Sequence, residues 1–438
     1  MRCLSVADKT SAAWEAYLNA NPWIEQKIIE NGFCEVTADS IKEFREPRLM
    51  AKHDSNDGVP SSLSERGLNV LSASRRSYYL GDFDVFKAFP DTPELKPEFC
   101  DLPGYETLDI EHISSESNAI NALVIGGILD KFLNEYDTVE TFNGRMGTGS
   151  FGFEIARRDG THTHLDVNNA QLEIDGGFEN NRSVIIMEAK NVIHSDFNVR
   201  QLYYPFRKYA SFVSKPIRLV FSQYTNLTYN LFEYEFTEPM DFNSIRLLQM
   251  ASYTFEEDRI TADDVWWIWN GTKVLYDDDY RTRGPIPFPQ ADRIDRIFAL
   301  MEFLSGYPDG APTDIITEFM GTVERQAAYY PSAGIYLGLF ERPRRGMTAL
   351  TRHALELLGF KRRSDRLLKF ASFIFEHKIF HDLYGIAIKR GSIPEKSEIM
   401  HVMSELNVIE GTSDAMLYRR ASTVSAWLKW LFDLPDGD

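Results

Sequence analysis

The stretch from Gln171 to Tyr209, QLEIDGGFENNRSVIIMEAKNVIHSDFNVRQLYYPFRKY, decides how the chain is read. Leu172 to Asp175 begins a strand that Asp175-Gly176-Gly177 breaks. Ser183 to Lys190 (SVIIMEAK) is a second strand, and its apolar run marks it as buried. Side chains two apart on a strand share a face, so Glu188 and Lys190 project together where the buried strand ends. Twelve residues lie between Asp175 and Glu188, so a tight antiparallel connection brings the two carboxylates side by side. Two acids converging beside an amine repel each other unless a divalent cation intervenes, and hard oxygen donors suit Mg²⁺. The Ala189 carbonyl, between Glu188 and Lys190, is a further metal ligand in this reading. Such a site suits phosphodiester hydrolysis, with Lys190 orienting the attacking water or stabilising the transition state. Taken alone, an Asp followed by Glu-x-Lys also arises as a surface ion pair. Downstream, Asn198 to Tyr209 reads as a helix despite Pro205, and Ile217 to Ser222 (IRLVFS) as another buried strand.

Working outward, residues 109–260 alternate helix, strand, strand, helix and strand, the pattern of an α/β unit with a mixed central sheet. Ser114 or Ser115 caps its first helix, Glu116 sits in the first turn, and Ile120, Leu123, Val124, Gly127, Ile128 and Phe132 recur at helical spacing. Residues 1–108 form an N-terminal extension, in which Leu68 to Phe86 (LNVLSASRRSYYLGDFDVF) reads as a hairpin turning near Gly81. Within 261–290, VWWIWNG reads as a hairpin, followed by an extended acidic and Pro-rich linker. The rest is mostly helical. In 291–370, Arg325 to Leu339 gives two short helices and Thr348 to Leu358 (TALTRHALELL) a third, with the charged turn Glu341 to Gly346 (ERPRRG) between them. That order suits a winged-helix or helix-turn-helix module. In 371–438, Arg419 to Trp430 (RRASTVSAWLKW) reads as the last helix of a second such module, its tryptophans in the core. The expected fold class is thus α/β (α+β) with a mostly helical C-terminal region.

With 43% hydrophobic and 13% aromatic residues the chain can bury real cores. Cys3, Cys34 and Cys100 are isolated and odd in number, which argues against a disulfide framework or a structural zinc site. No signal-peptide pattern and no apolar run near the ~20 residues that span a bilayer is present, so a cytoplasmic protein without membrane association is expected. The formal net charge of −18 argues against a polyanionic partner, but the charge is uneven. Arg342, Arg344, Arg345, Arg352, Lys361, Arg362, Arg363, Arg366 and Lys369 are opposed within their run only by Glu356 and Asp365. The bland alternative is a solvated helix face. For DNA, arginine offers bidentate contacts to guanine, which singles out Arg344, Arg345, Arg362 and Arg363. Arg419 and Arg420 are candidates for phosphate contact, and Arg45 and Arg48 could approach from the other side. His162 and His164 lack a third zinc ligand at useful spacing, and Gly147 and Gly149 are not followed by GK[ST], so neither pair makes a site. No motif for a nucleotide cofactor or a methyl donor appears.

The stretch Gln171 to Tyr209 resembles the catalytic core of PD-(D/E)xK type II restriction endonucleases, with Asp175, Glu188 and Lys190 matching the family's triplet. Ile174 stands where many members have proline. The resemblance implies a further acid on the preceding helix, for which Glu116 is the candidate, and a glutamine on the following helix, for which Gln201 is. Ser40 to Asp54, Arg145 to Phe151, Pro287 to Ile297 and Glu324 to Phe340 have the texture of restriction-enzyme relatives. What the resemblance implies is Mg²⁺-dependent cleavage of double-stranded DNA at a specific sequence, leaving 5′-phosphate ends. Winged helices would lie C-terminal to the core, a homodimer would form on DNA, and the cognate DNA methyltransferase would be a separate protein. The alternatives are a structure-specific or repair nuclease, and a non-catalytic winged-helix regulator on a nuclease-like scaffold.

Overall fold

The apolar run that ends at Lys190 lies inside a seven-stranded sheet. Its strands are β1 (Glu98–Phe99), β2 (Val139–Gly147), β3 (Gln171–Glu179), β4 (Val184–Lys190), β5 (Ile217–Thr225), β6 (Thr228–Phe236) and β7 (Ile245–Thr254), in the spatial order β1-β7-β6-β5-β4-β3-β2. The sheet is mixed: β4 runs parallel to β5 and β7 to β1, and the other neighbours are antiparallel. The computed structural model describes residues 9–90, 96–102, 104–105, 113, 115–256, 259–282, 284, 286–410 and 413–435. Cys3, Ser114 and the expected boundary at 108/109 lie outside the described residues.

Both faces of the sheet are covered, which is why β4 is apolar on both sides. Helix α1 (Glu116–Ile125) packs Ile120 and Leu123 with Ile185, Met187 and Val220. Helix α2 (Arg200–Ala210), the crossover between parallel β4 and β5, packs Leu202 and Tyr203 with Ile186, Leu219 and Phe221. The alternation of β4 therefore puts Ile186, Glu188 and Lys190 on the α2 side. Ser115 caps α1 by accepting from the Asn118 amide at 3.1 Å.

Several local expectations are corrected. Strand β3 is unbroken through Gly176 and Gly177, because a Cβ at Gly177 would collide with the Phe142 ring and one at Gly176 would meet the Phe178 ring at 2.7 Å. These glycines make room for aromatic rings and do not end the strand. The expected long first helix is two: α1 stops at Gly126-Gly127, and Ile128–Leu133 starts afresh. Gly127 has φ +66°, and the Phe255 ring occupies the place that a Gly126 Cβ would need. The N-terminal hairpin pairs Asn69–Ser72 with Ser77–Gly81, and Phe33–Thr37 pairs on the latter's other side. It turns around Ser74, whose hydroxyl accepts from the Arg76 amide at 3.1 Å and shares a hydrogen bond with Ser77, so Gly81 ends the hairpin and does not turn it. The Trp-rich segment is helix α3 (Ala262–Gly271), because Thr261 and Asp264 form a capping box. Trp269 donates to the His381 carbonyl at 3.0 Å, while Trp267 faces out.

The C-terminal region runs α4 (Ile294–Ser305), β8 (Ala311–Pro312), α5 (Thr313–Met320), the short helix Glu324–Ala327, α6 (Tyr329–Tyr336), β9 (Phe340–Glu341) and β10 (Met347–Leu350). Its small sheet has the order β8-β10-β9. Met347–Leu350 is thus a strand, and the helix expected from Thr348 begins only at Arg352, where Thr351 accepts from the Ala354 amide at 3.4 Å. The expected boundary at 370/371 falls inside helix α7 (Arg363–Phe375). One hydrophobic cluster runs from Ile260 to Leu434, so 291–370 and 371–438 share a core. Helix α8 (Asp414–Phe432) buries Trp427 in that core, stacked on Phe380 and donating to the Ala291 carbonyl at 2.8 Å. Among the described residues no helix is long and apolar enough to cross a membrane.

Near the N-terminal end of β5, Arg218 holds the Glu233 carboxylate of β6 through two bonds of 2.6 and 2.8 Å, and donates to Glu135 at 3.1 Å and to the Leu133 carbonyl at 2.6 Å. Both acids are buried. Arg218→Met leaves two buried carboxylates without their cation, and we expect it to destabilise the fold by about 3–5 kcal/mol. Urea denaturation followed by circular dichroism measures the loss, and one under about 1 kcal/mol would mean that water already screens the two acids.

Candidate active site

Strand alternation and the antiparallel turn do what the sequence implied at the end of β4. The last paired residues of β3 and β4 are Gly176 and Met187, which puts Asp175 and Glu188 one step further along the two strands. Asp175 Oδ2 accepts from the Ala189 amide at 2.9 Å, which fixes that carboxylate against the neighbouring strand. Lys190 Nζ donates to Glu188 Oε1 at 2.6 Å and to the Ala189 carbonyl at 3.1 Å. It lies 3.8 Å from Asp175 Oδ2 and 3.9 Å from Glu116 Oε1, the latter in the first turn of α1. Gln201, in the first turn of α2, donates through Nε2 to the same Glu188 oxygen. Acids from α1, β3 and β4 and an amide from α2 therefore meet around one amine. The five side chains named from the sequence are brought together.

The electrostatics follow from burial. Glu188 is only 7% exposed. Burial, reinforced by the Asp175 charge and only partly offset by Lys190, pushes its carboxyl up to about 8. Burial also lifts Glu116, against the pull of Lys190. Burial disfavours the Lys190 ammonium, but Glu188, Glu116, Asp175 and Asp54 outweigh it and hold Lys190 well above the usual lysine range.

Two further neighbours, Asp54 and Arg296, fall in stretches, Ser40 to Asp54 and Pro287 to Ile297, that the sequence marks only by their texture. The segment Lys52–Gly58 of the N-terminal unit lies against the strand that precedes α2: Asn198 donates from its backbone to the Asp54 carbonyl at 2.9 Å and from its side chain to the His53 carbonyl at 3.0 Å. Burial works against a charge on Asp54, but Lys52, Lys190 and Arg200 hold its carboxyl below the usual range. Apart from Lys52, its partners lie more than a hundred residues downstream, so the sequence alone gives Asp54 no individual role. The second neighbour is Arg296 of α4, which is 6% exposed and donates to His194 Nδ1 at 3.2 Å and to the Met320 carbonyl at 3.1 Å. Burial, and then the Arg296 charge, drive His194 down to about 3. Its imidazole is neutral, and since a guanidinium only donates, Nδ1 accepts and Nε2 carries the proton. Three further bonds tie the same joint: the Ser55 hydroxyl to the Gly321 carbonyl at 2.9 Å, the Asn56 amide to Asp196 at 2.7 Å and the Val323 amide to the Asp57 carbonyl at 3.1 Å. The N-terminal unit, the sheet domain and the C-terminal region thus meet beside Lys190.

Among the described residues no three His, Cys, Asp or Glu side chains form a ready-made metal cage. The donors present nonetheless fit Mg²⁺, which takes one or two protein carboxylates and leaves its other positions to water and phosphate. Asp175, Glu188 and the Ala189 carbonyl supply hard oxygens. Gln201 Oε1 and Asp54 Oδ1 are buried oxygens with no hydrogen-bond partner.

The basic residues named from the sequence divide. Arg344 and Arg345 are exposed with Arg342 on the turn between β9 and β10. Arg342 and Arg345 line a cleft of about 420 Å³ with Thr313, Thr317 and Pro331, and none of the clustered acids lines it. Arg362 and Arg419 are exposed, whereas Arg363 and Arg420 are half-buried, and the Arg363 amide donates to Glu256. Arg366, from the same run, is buried and donates to the Phe360 and Leu358 carbonyls at 2.8 and 2.9 Å. Arg48 is exposed and Arg45 half-buried. His164 lies on the surface between the carboxylates of Glu154 at 2.8 Å and Asp166 at 3.4 Å.

Three domains of unknown function match the chain in succession: DUF6996 over residues 11–80, DUF6997 over 81–254 and DUF7226 over 296–436. The sheet, with Glu116, Asp175, Glu188, Lys190 and Gln201, lies in the second, and Asp54 in the first. No curated protein and no solved structure matches the chain.

Between pH 4.5 and about 8 the folded chain keeps a proton on Glu188 that the unfolded chain has released. The native state binds more protons in that window, so stability from this group falls as the pH rises through it. In EDTA, melting temperatures of Glu188→Gln should decline less between pH 5 and 8 than those of wild type. Parallel curves would show that Glu188 is ionised throughout.

Proposed function

We propose that the chain is a Mg²⁺-dependent nuclease of the PD-(D/E)xK type, hydrolysing double-stranded DNA at a short specific sequence as type II restriction endonucleases do. The observation that carries this reading is the gathering of Glu188, Asp175 and Glu116 at 2.6, 3.8 and 3.9 Å from Lys190 Nζ. Asp175, Glu188 and the Ala189 carbonyl would hold the ion. When bound, Mg²⁺ supplies positive charge for the scissile phosphate and a more acidic water. Lys190, fully charged, is an electrostatic donor for the negative charge that grows on phosphate oxygens in the transition state. Gln201 holds the Glu188 carboxylate in place, and Glu116 keeps an acid on the opposite side of the amine.

Two features support DNA as the substrate. The order helix, strand, helix, short helix, helix, strand, strand from α4 to β10 suits a winged helix with one extra helical turn, and the turn between its last two strands carries Arg342, Arg344 and Arg345 in solvent. In this reading that turn is the wing, Arg362, Arg363, Arg419 and Arg420 extend the contact, and Arg45 and Arg48 approach from the N-terminal unit. One site per chain cuts one strand, so double-strand cleavage calls for a homodimer on DNA or two successive nicks. A protective DNA methyltransferase would be a separate protein.

Incubation of a mapped plasmid with the chain and Mg²⁺ should give discrete fragments with 5′-phosphate ends. Asp175→Ala and Lys190→Ala should each cut at least about 100-fold more slowly while still binding DNA. Cleavage confined to branched or damaged DNA would replace restriction by a repair or structure-specific nuclease. Binding without cleavage by the wild-type chain would leave a DNA-binding regulator. Replacing Arg342, Arg344 and Arg345 together by alanine should flatten the plot of log affinity against log salt by about 0.9 for each phosphate that the turn neutralises. An unchanged slope would remove the turn from the interface.

A further inference from the structure

Asp54 reaches the cluster from a different domain, and its surroundings are hard to explain as scaffolding alone. Its side chain is 19% exposed, and Oδ2 pairs with Lys52 at 3.3 Å. Oδ1 is buried and accepts no hydrogen bond, although a buried carboxylate oxygen ordinarily has a donor. Its backbone is fixed by the Asn198 amide, two residues before the start of α2, the helix whose first turn carries Gln201. Gln201 spends its amide nitrogen on Glu188, and its own Oε1 is likewise without a partner, on a side chain that is 9% exposed. Glu135 Oε2 and Asn226 Oδ1 are also without a donor. The Asp54 and Gln201 oxygens differ in belonging to groups that act on the acidic cluster, Asp54 through its charge on Lys190 and Glu188 and Gln201 through its bond to Glu188. A divalent cation with its waters accounts for both, because coordinated water donates strongly to oxygens around it.

We propose that Asp54 is a residue of the divalent-cation site, supplied from the N-terminal unit to orient the ion's water shell together with the Gln201 carbonyl oxygen. The site is then completed only when Lys52–Gly58 is docked between Asn198 of the sheet domain and Gly321 of the C-terminal region. Lys52, bound to the other oxygen of Asp54, acts as a positioning residue that fixes the carboxylate. This rests on the metal-dependent reading above, but it concerns a residue that reading does not need.

The test is a titration of Mg²⁺ into the full-length, EDTA-stripped chain by isothermal calorimetry, for wild type, Asp54→Asn, Asp54→Glu and Asp175→Asn. Asp54→Asn should bind Mg²⁺ at least about 10-fold more weakly, Asp54→Glu should recover part of the loss, and the melting temperature of Asp54→Asn in EDTA should match or exceed that of wild type. Wild-type affinity in Asp54→Asn, with binding lost in Asp175→Asn, overturns the role of Asp54 and leaves the two-acid site standing. No Mg²⁺ binding by the wild-type chain overturns both. Should Asp54→Asn fail to fold, hydrogen exchange on the wild-type chain decides. The peptide Lys52–Val59 should exchange more slowly on adding Mg²⁺, and identical exchange with and without the ion overturns the proposal.

Discussion

A buried ammonium among acids drawn from separate elements is the constraint around which this chain is arranged. Removing Lys190 from water is unfavourable by itself, and so is removing Glu188. Lys190 is tolerated because Glu188, Asp175 and Glu116 stand within 4 Å of its amine, whereas Glu188, pressed by burial and the Asp175 charge, is only partly offset by Lys190. That geometry has to be assembled from an α-helix start, two antiparallel strands and a crossover helix, so the surrounding packing must be tight enough to hold all four. The sheet covered on both faces provides this. Ile185 and Met187 are locked on the α1 side, Ile186 is locked on the α2 side, and the polar residues appear only where the alternation runs out of apolar partners.

The parts of this design that were legible in the sequence are the local ones. Period-two alternation is a property of any strand, so the shared face of Glu188 and Lys190 follows from residue spacing alone. The short connection from Asp175 sets a register that one residue of slip would have ruined. Glu116 and Gln201 were named through a resemblance, and the fold brings both within reach of the cluster. The α/β character with a mixed sheet and a helical C-terminal region was also legible, because it rests on long periodic segments. What failed were readings of single residue types. Gly176-Gly177 resembles a strand end but accommodates the rings of Phe178 and Phe142. VWWIWNG has strand-forming residues, yet Thr261 and Asp264 cap it as a helix. Asp54 and Arg296 fall in stretches that stood out only by texture, and their individual roles were not legible because those depend on contacts across more than a hundred residues, Asn198 with Asp54 and His194 with Arg296.

Charge distribution was informative at the level of a region and uninformative at the level of a residue. The run from Arg342 to Lys369 contains exposed arginines on a turn and also Arg366, which is buried and ties off two carbonyls of the core. Both kinds contribute equally to a count of positive residues, but only the first can meet a partner. The shared core from Ile260 to Leu434 works the same way, since helices that looked like two modules in the sequence interlock through the pairs Tyr336–Trp427 and Phe370–Trp430.

The strap between Asp54 and Gly58 bears on how such a chain can be rebuilt in evolution. At Gly58 a single added carbon would meet the Gly321 carbonyl oxygen at 2.7 Å, so backbone from the first matched domain is pressed directly against backbone from the third. Side chains can change to suit a new neighbour, but two main chains in contact cannot. Exchanging one of the three domains for a different sequence therefore requires a matching loop in its neighbour, so the three are constrained to change together at this joint.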